Sequence, residues 1–110
     1  SAKFFQIEYL TYGEVPANLS SGQASLYWQA SQKEKALRVV YESESRKLIG
    51  IHAFGIRLSH PQCDSWLKTG IQMSELINEL PKANFDPEFY ENPFPEVQQT
   101  FSRQLKEPQL

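Results

Sequence analysis

ALRVVYESESRKLIGIHAFGI, Ala36 to Ile56, decides the fold of this chain. In its first arm Leu37, Val39 and Tyr41 alternate with Arg38, Val40 and Glu42; in its second, Leu48, Gly50, His52 and Phe54 alternate with Ile49, Ile51 and Ala53. Side chains along a strand point to opposite faces with a period of two, so both arms read as β-strands. The second arm is apolar at nearly every position and belongs in the middle of a sheet; the first keeps one wetter face. Ser43, Glu44, Ser45 and Arg46 supply a polar turn of hairpin length.

Upstream, Lys3 to Tyr12 alternates in the same manner and is broken by Tyr12-Gly13 and Val15-Pro16. Ala24 to Gln29, with Leu26, Tyr27 and Trp28, is an aromatic strand that pairs either with Phe4–Tyr12 or with Leu37–Tyr41. Four strands with no helical pattern between them predict an antiparallel meander. Downstream the period changes. Ser59-His60-Pro61 is a helix-start signal, Cys63, Trp66 and Leu67 recur at helical spacing, and Gly70 stands where a C-terminal glycine cap belongs. Met73, Leu76, Ile77 and Leu80 form one stripe of a second helix from Gln72 to Leu80, ended by Pro81. Asp86-Pro87-Glu88 predicts a short helical turn carrying Phe89 and Tyr90, and Val97, Phe101 and Leu105 predict a last helix from Pro95. The expected fold is α+β, an antiparallel sheet of about four strands followed by two to four short helices packed on one face. The expected organisation is a single domain over residues 1–110.

The 110 residues are 40% hydrophobic and 22% charged with a net charge of −2, which suits one core and gives no positive field to attract nucleic acid or an anionic membrane surface. No apolar run approaches the ~20 residues that span a bilayer, and no secretory leader opens the chain, so the expectation is a cytoplasmic protein without nucleic-acid or membrane partners. Cys63 is the only cysteine, which excludes an internal disulfide and reads as a buried structural thiol. With His52 and His60 it matches no zinc spacing. His52 lies in the most apolar strand, either buried and hydrogen-bonded or aimed from a sheet face at an interface. The aromatic residues make up 13% of the chain, more than a small core needs; Trp66 and Phe54 read as core, whereas the Pro-flanked Phe85, Phe89, Tyr90 and Phe94 are interface candidates together with His52.

The hairpin, with its Lys-Leu-Ile-Gly-Ile-His-Ala-Phe-Gly run carrying Gly50 and Gly55, resembles the C-terminal interface domain of FAD-dependent pyridine nucleotide-disulfide oxidoreductases. Met73-Ser74-Glu75-Leu76-Ile77 followed by Ala83-Asn84-Phe85-Asp86-Pro87 is similar to the helix and aromatic loop near that domain's end. The resemblance spans about Leu37 to Pro87. It implies a dimerisation domain of a larger NAD(P)H- and FAD-dependent oxidoreductase, a homodimer whose FAD and NAD(P) sit on upstream domains of the same chain. No glycine-rich dinucleotide fingerprint occurs in these residues, so no cofactor is expected in this part. His60-Pro61-Gln62 with Asp64 is similar to the family's His-Pro-Thr acid/base motif, but it stands where the helix begins and not after it. No catalytic role is carried over, and no catalytic or metal-binding residue is expected. The alternative reading is a free-standing α+β module that binds a small apolar ligand or another protein and has no enzymatic activity.

Overall fold

The structure, a computed structural model, describes residues 9–31, 34–84 and 92–107. Four strands, β1 (Tyr9–Gly13), β2 (Gln23–Gln29), β3 (Ala36–Glu42) and β4 (Leu48–Phe54), form one antiparallel sheet in the order β1-β4-β3-β2. The fold class is therefore α+β as the sequence predicts, but the topology is not a plain meander. Strands β2, β3 and β4 follow one another as hairpins, whereas β1 pairs with β4 on the far side. The apolar content of β4 suits a central position, with β1 hydrogen-bonded on one flank and β3 on the other. Residues 3–8 of the expected first strand lie outside the described residues, as do Phe85, Phe89, Tyr90 and the expected turn at Asp86-Pro87-Glu88.

One irregularity sets the whole register. In the β3–β4 hairpin Tyr41 faces Leu48 but Val40 faces Gly50, so Ile49 is an extra residue, a β-bulge. Strict alternation places Leu48 on the same face as His52. The bulge switches it, and Leu48 packs in the core while Gly50, His52 and Phe54 point to the opposite side.

The connection from β1 to β2 must travel from one edge of the sheet to the other, and it folds over the face opposite the core. A Cβ on Gly50 would collide with the backbone of Glu14, so glycine is required there by close approach. Val40, the neighbour of Gly50, is 0% exposed although it lies outside the core cluster. Gly55, at φ +71°, likewise faces the Glu34 carbonyl where a side chain would stand.

Helix α1 (His60–Thr69) starts as its sequence predicts: Ser59 is the N-cap, its hydroxyl accepting from the Gln62 N–H at 3.3 Å, with Pro61 in the first turn. It ends at Gly70, φ 62°, whose left-handed backbone lets the Gly70 N–H reach Leu67 O at 3.2 Å. Helix α2 (Met73–Glu79) runs into a 3₁₀ turn, Leu80–Ala83, so Pro81 opens a tighter turn after the α-helix stops. Helix α3 (Phe94–Lys106) buries Phe94, Val97 and Phe101 along one stripe. α1 lies against β4 and β1, and α3 against β2, where Glu96 accepts from the Trp28 indole N–H at 3.2 Å. The Gln104 side-chain amide takes the Tyr27 N–H at 2.8 Å and donates to the Tyr27 carbonyl at 2.7 Å. Leu26, Trp28, Leu37, Val39, Ile51 and Ala53 close the sheet side of the core.

Candidate functional site on the outer face of the sheet

The face away from the helices carries one side chain from each strand in a single cross-strand row. Thr11 is opposite His52, His52 opposite Arg38, and Arg38 opposite Tyr27. The bulge creates this row. Continuing the Tyr41–Leu48 register without it would set Arg38 against Ile51 and send the two to the wrong faces for any contact with His52. Thr11 Oγ1 and His52 Nδ1 share a hydrogen bond of 2.8 Å. The Arg38 guanidinium lies 4.5 Å from the centre of the Tyr27 ring and donates from Nη1 to Ser25 Oγ at 3.1 Å. Stacking on an aromatic face and a neutral hydroxyl hold a guanidinium in place without cancelling its charge. Among the described residues no carboxylate pairs with Arg38, and Arg38, His52, Tyr27 and Phe54 are all half-buried.

The second histidine mirrors the first across β1. Thr11 and Tyr12 are adjacent and so point to opposite faces; Tyr12 meets His60 at the start of α1, with Oη and Nδ1 2.8 Å apart and the rings edge to face at 5.3 Å. Each histidine is thus held by a hydroxyl. His60 is the exposed helix-start residue its sequence position implies.

Cys63 is 0% exposed, and burial, with the Asp64 carboxylate as a smaller contributor, pushes its thiol up from 9.0 to about 12. A protonated, enclosed thiol is neither a nucleophile nor a metal ligand, which matches the structural role expected for it. Burial also raises the Tyr41 phenol, opposed by the Arg46 charge. No group of three His, Cys, Asp or Glu side chains able to hold a metal ion occurs among the described residues. Within them, no helix is long and apolar enough to cross a membrane.

Of the interface candidates within the described residues, His52 belongs to the outer row, whereas Phe94 is 1% exposed and fills the core beneath α3. Helix α3 starts one residue before the predicted Pro95, and this single residue carries Phe94 onto the buried stripe. Trp66 is core as expected, but Phe54 is half-buried on the outer face. Arg38, Tyr27 and Thr11 were not singled out by sequence. The signal available was that Arg38 occupies the wet face of a strand whose hairpin partner contains the only in-strand histidine. Comparison of the chain with protein-family models, curated proteins and solved structures returns no match.

Proposed function

We propose that this chain is a non-catalytic association domain, the C-terminal interface domain of an FAD- and NAD(P)-dependent oxidoreductase, and that it pairs with a second copy through the outer face of its sheet. The observation that carries this reading is the Thr11–His52–Arg38–Tyr27 row, which offers a fixed, uncompensated guanidinium between aromatic and hydrogen-bonding groups. Arginine and tyrosine in such a setting are favoured anchors of protein interfaces. The two glycines of the hairpin support the same reading, because close packing against Glu14 and Glu34 accounts for both and leaves neither to cradle a phosphate. FAD and NAD(P) then belong to upstream domains of the complete protein, which this domain joins to the partner subunit.

Sedimentation of the 110-residue chain at rising concentration tests the proposal, with Arg38→Glu as the disrupting variant and a parallel titration with FAD. The expected result is a self-associating wild type, a monomeric variant with an unchanged circular dichroism spectrum, and no stoichiometric flavin binding. A wild type that stays monomeric at the highest concentration overturns the association, and stoichiometric FAD binding by these residues alone overturns the assignment of the cofactor to other domains.

A further inference from the structure

A different part of the molecule, independent of the association reading, carries a second site. The turn between β3 and β4, the outer side of α2 and the last turns of α3 enclose an open cleft of about 580 Å³. Its polar lining consists of Arg46, Lys106, Ser74, Ser102 and Asn78, and its apolar lining of Ile77 and Leu105. Two cations, two hydroxyls and one amide thus share a space that holds no carboxylate. The cations are not neutralised elsewhere: among the described residues neither Arg46 nor Lys106 pairs with an acid. Their neighbours behave differently, since Lys82 lies 3.8 Å from Glu79 and Arg103 lies 3.7 Å from Glu107.

The placement of Arg46 is built into the fold. It is the one non-glycine residue with positive φ, 63°, among the described residues, in the left-handed region that arginine seldom enters. Two backbone hydrogen bonds hold it there, from its own N–H to Glu42 O at 2.7 Å and from the Met73 N–H to its carbonyl at 2.9 Å. Residues kept in sparsely populated conformations by their surroundings concentrate at binding sites. Next to this cleft a groove of about 820 Å³ shares Ile77, Asn78, Ser102 and Lys106 and continues past Gln98 and Gln99 and past Arg103 and Glu107, which pair with each other at 3.7 Å. A ligand seated by its anionic end therefore has room for an organic part.

We propose that this cleft binds a small phosphate monoester, the phosphate held by Arg46, Lys106 and the Ser102 hydroxyl and the organic part lying on Ile77 and Leu105. A phosphate fits better than a carboxylate because a guanidinium fork occupies two oxygens by itself, and an ammonium and the Ser102 hydroxyl still need acceptors, the Ser74 hydroxyl already donating to Gln72 Oε1 at 3.1 Å.

Amide chemical-shift titration of the full chain tests this with three probes: phenyl phosphate, inorganic phosphate and benzoate. The expected result is saturable shifts at Arg46, Ser74, Asn78 and Ser102 with phenyl phosphate, several-fold weaker binding of inorganic phosphate and no saturation with benzoate. Lys106→Gln, at an exposed helix position, and Arg46→Gln are each expected to weaken phenyl phosphate by about tenfold, as loss of a charged hydrogen bond does. Arg46→Lys, which keeps a charge at the same position, is expected to recover part of that loss, and Lys82→Gln to change nothing. Absence of saturable shifts with phenyl phosphate, or equal affinity in both charge-removing variants and wild type, overturns the site. Benzoate binding as tightly as phenyl phosphate overturns the phosphate assignment, and inorganic phosphate binding as tightly overturns the organic part.

Discussion

Val39 and Arg38 are neighbours in β3, yet Val39 lies under the helices among Leu26 and Ile51 while Arg38 lies half-exposed on the Tyr27 ring. The inner face of the sheet is filled by aliphatic and aromatic side chains whose only requirement is to exclude water and fit. The outer face carries specific pairs: Thr11 with His52, Arg38 with Ser25 and Tyr27, Gly50 with the crossing chain at Glu14. If the outer face serves the association proposed for it, substitutions on the two sides of the same four strands are expected to separate stability from association.

The largest loss is expected inside. Phe101→Ala empties a 0% exposed position between α3 and the sheet, and urea unfolding is expected to show a loss of about 3–5 kcal/mol. Gly50→Ala is the strongest test on the outer face, because the added methyl meets the backbone of Glu14 and not a flexible side chain. A loss of about 1–3 kcal/mol is expected, and a neutral result would show that the crossing chain is not held against the sheet. Gln104→Ala removes both side-chain hydrogen bonds to the Tyr27 backbone and is expected to cost about 1–2 kcal/mol, read from the same unfolding curves. Arg38→Ala is expected to cost about 1 kcal/mol or less, the range of an exposed cation–π contact, while abolishing self-association in sedimentation. A large stability loss with association intact would erase the distinction between the faces.

The smallest effect at neutral pH concerns Cys63. Its folded thiol ionises near pH 12 and an unfolded one near 9.0, so below pH 9 both states are protonated and the thiol leaves stability unchanged with pH. Between those values only the unfolded thiol ionises, and stability falls as pH rises. Alkylation by iodoacetamide at pH 8 is accordingly expected to be blocked in the folded chain and complete in urea.

Much of this architecture was legible because it rests on local chemistry. The polar turn at Ser43–Arg46, the Ser59 cap, the Gly70 terminus and the stripe of α3 each follow from residues within a turn or two of one another. The β1–β4 pairing was not, since it joins segments some forty residues apart and depends on which strand most needs a second neighbour. The Thr11–His52–Arg38–Tyr27 row was half legible. His52 stood out by type, but its partners are fixed by Ile49, a residue of ordinary identity whose only peculiarity is that it has no partner of its own between Val40 and Tyr41. Alternation alone has no means of finding such an insertion. Phe94 was misplaced for a related reason, one residue of helix start deciding whether an aromatic ring faces water or core.

The pairing of Gln104 with Tyr27 has a consequence for behaviour in crowded solution. A primary amide that accepts from one backbone N–H and donates to the carbonyl of the same residue imitates the edge of another strand, so the middle of β2 presents itself as already paired. Open strand edges are where sheets recruit further chains and grow without limit. A side chain of the last described helix thereby closes the middle of the β2 edge to such pairing.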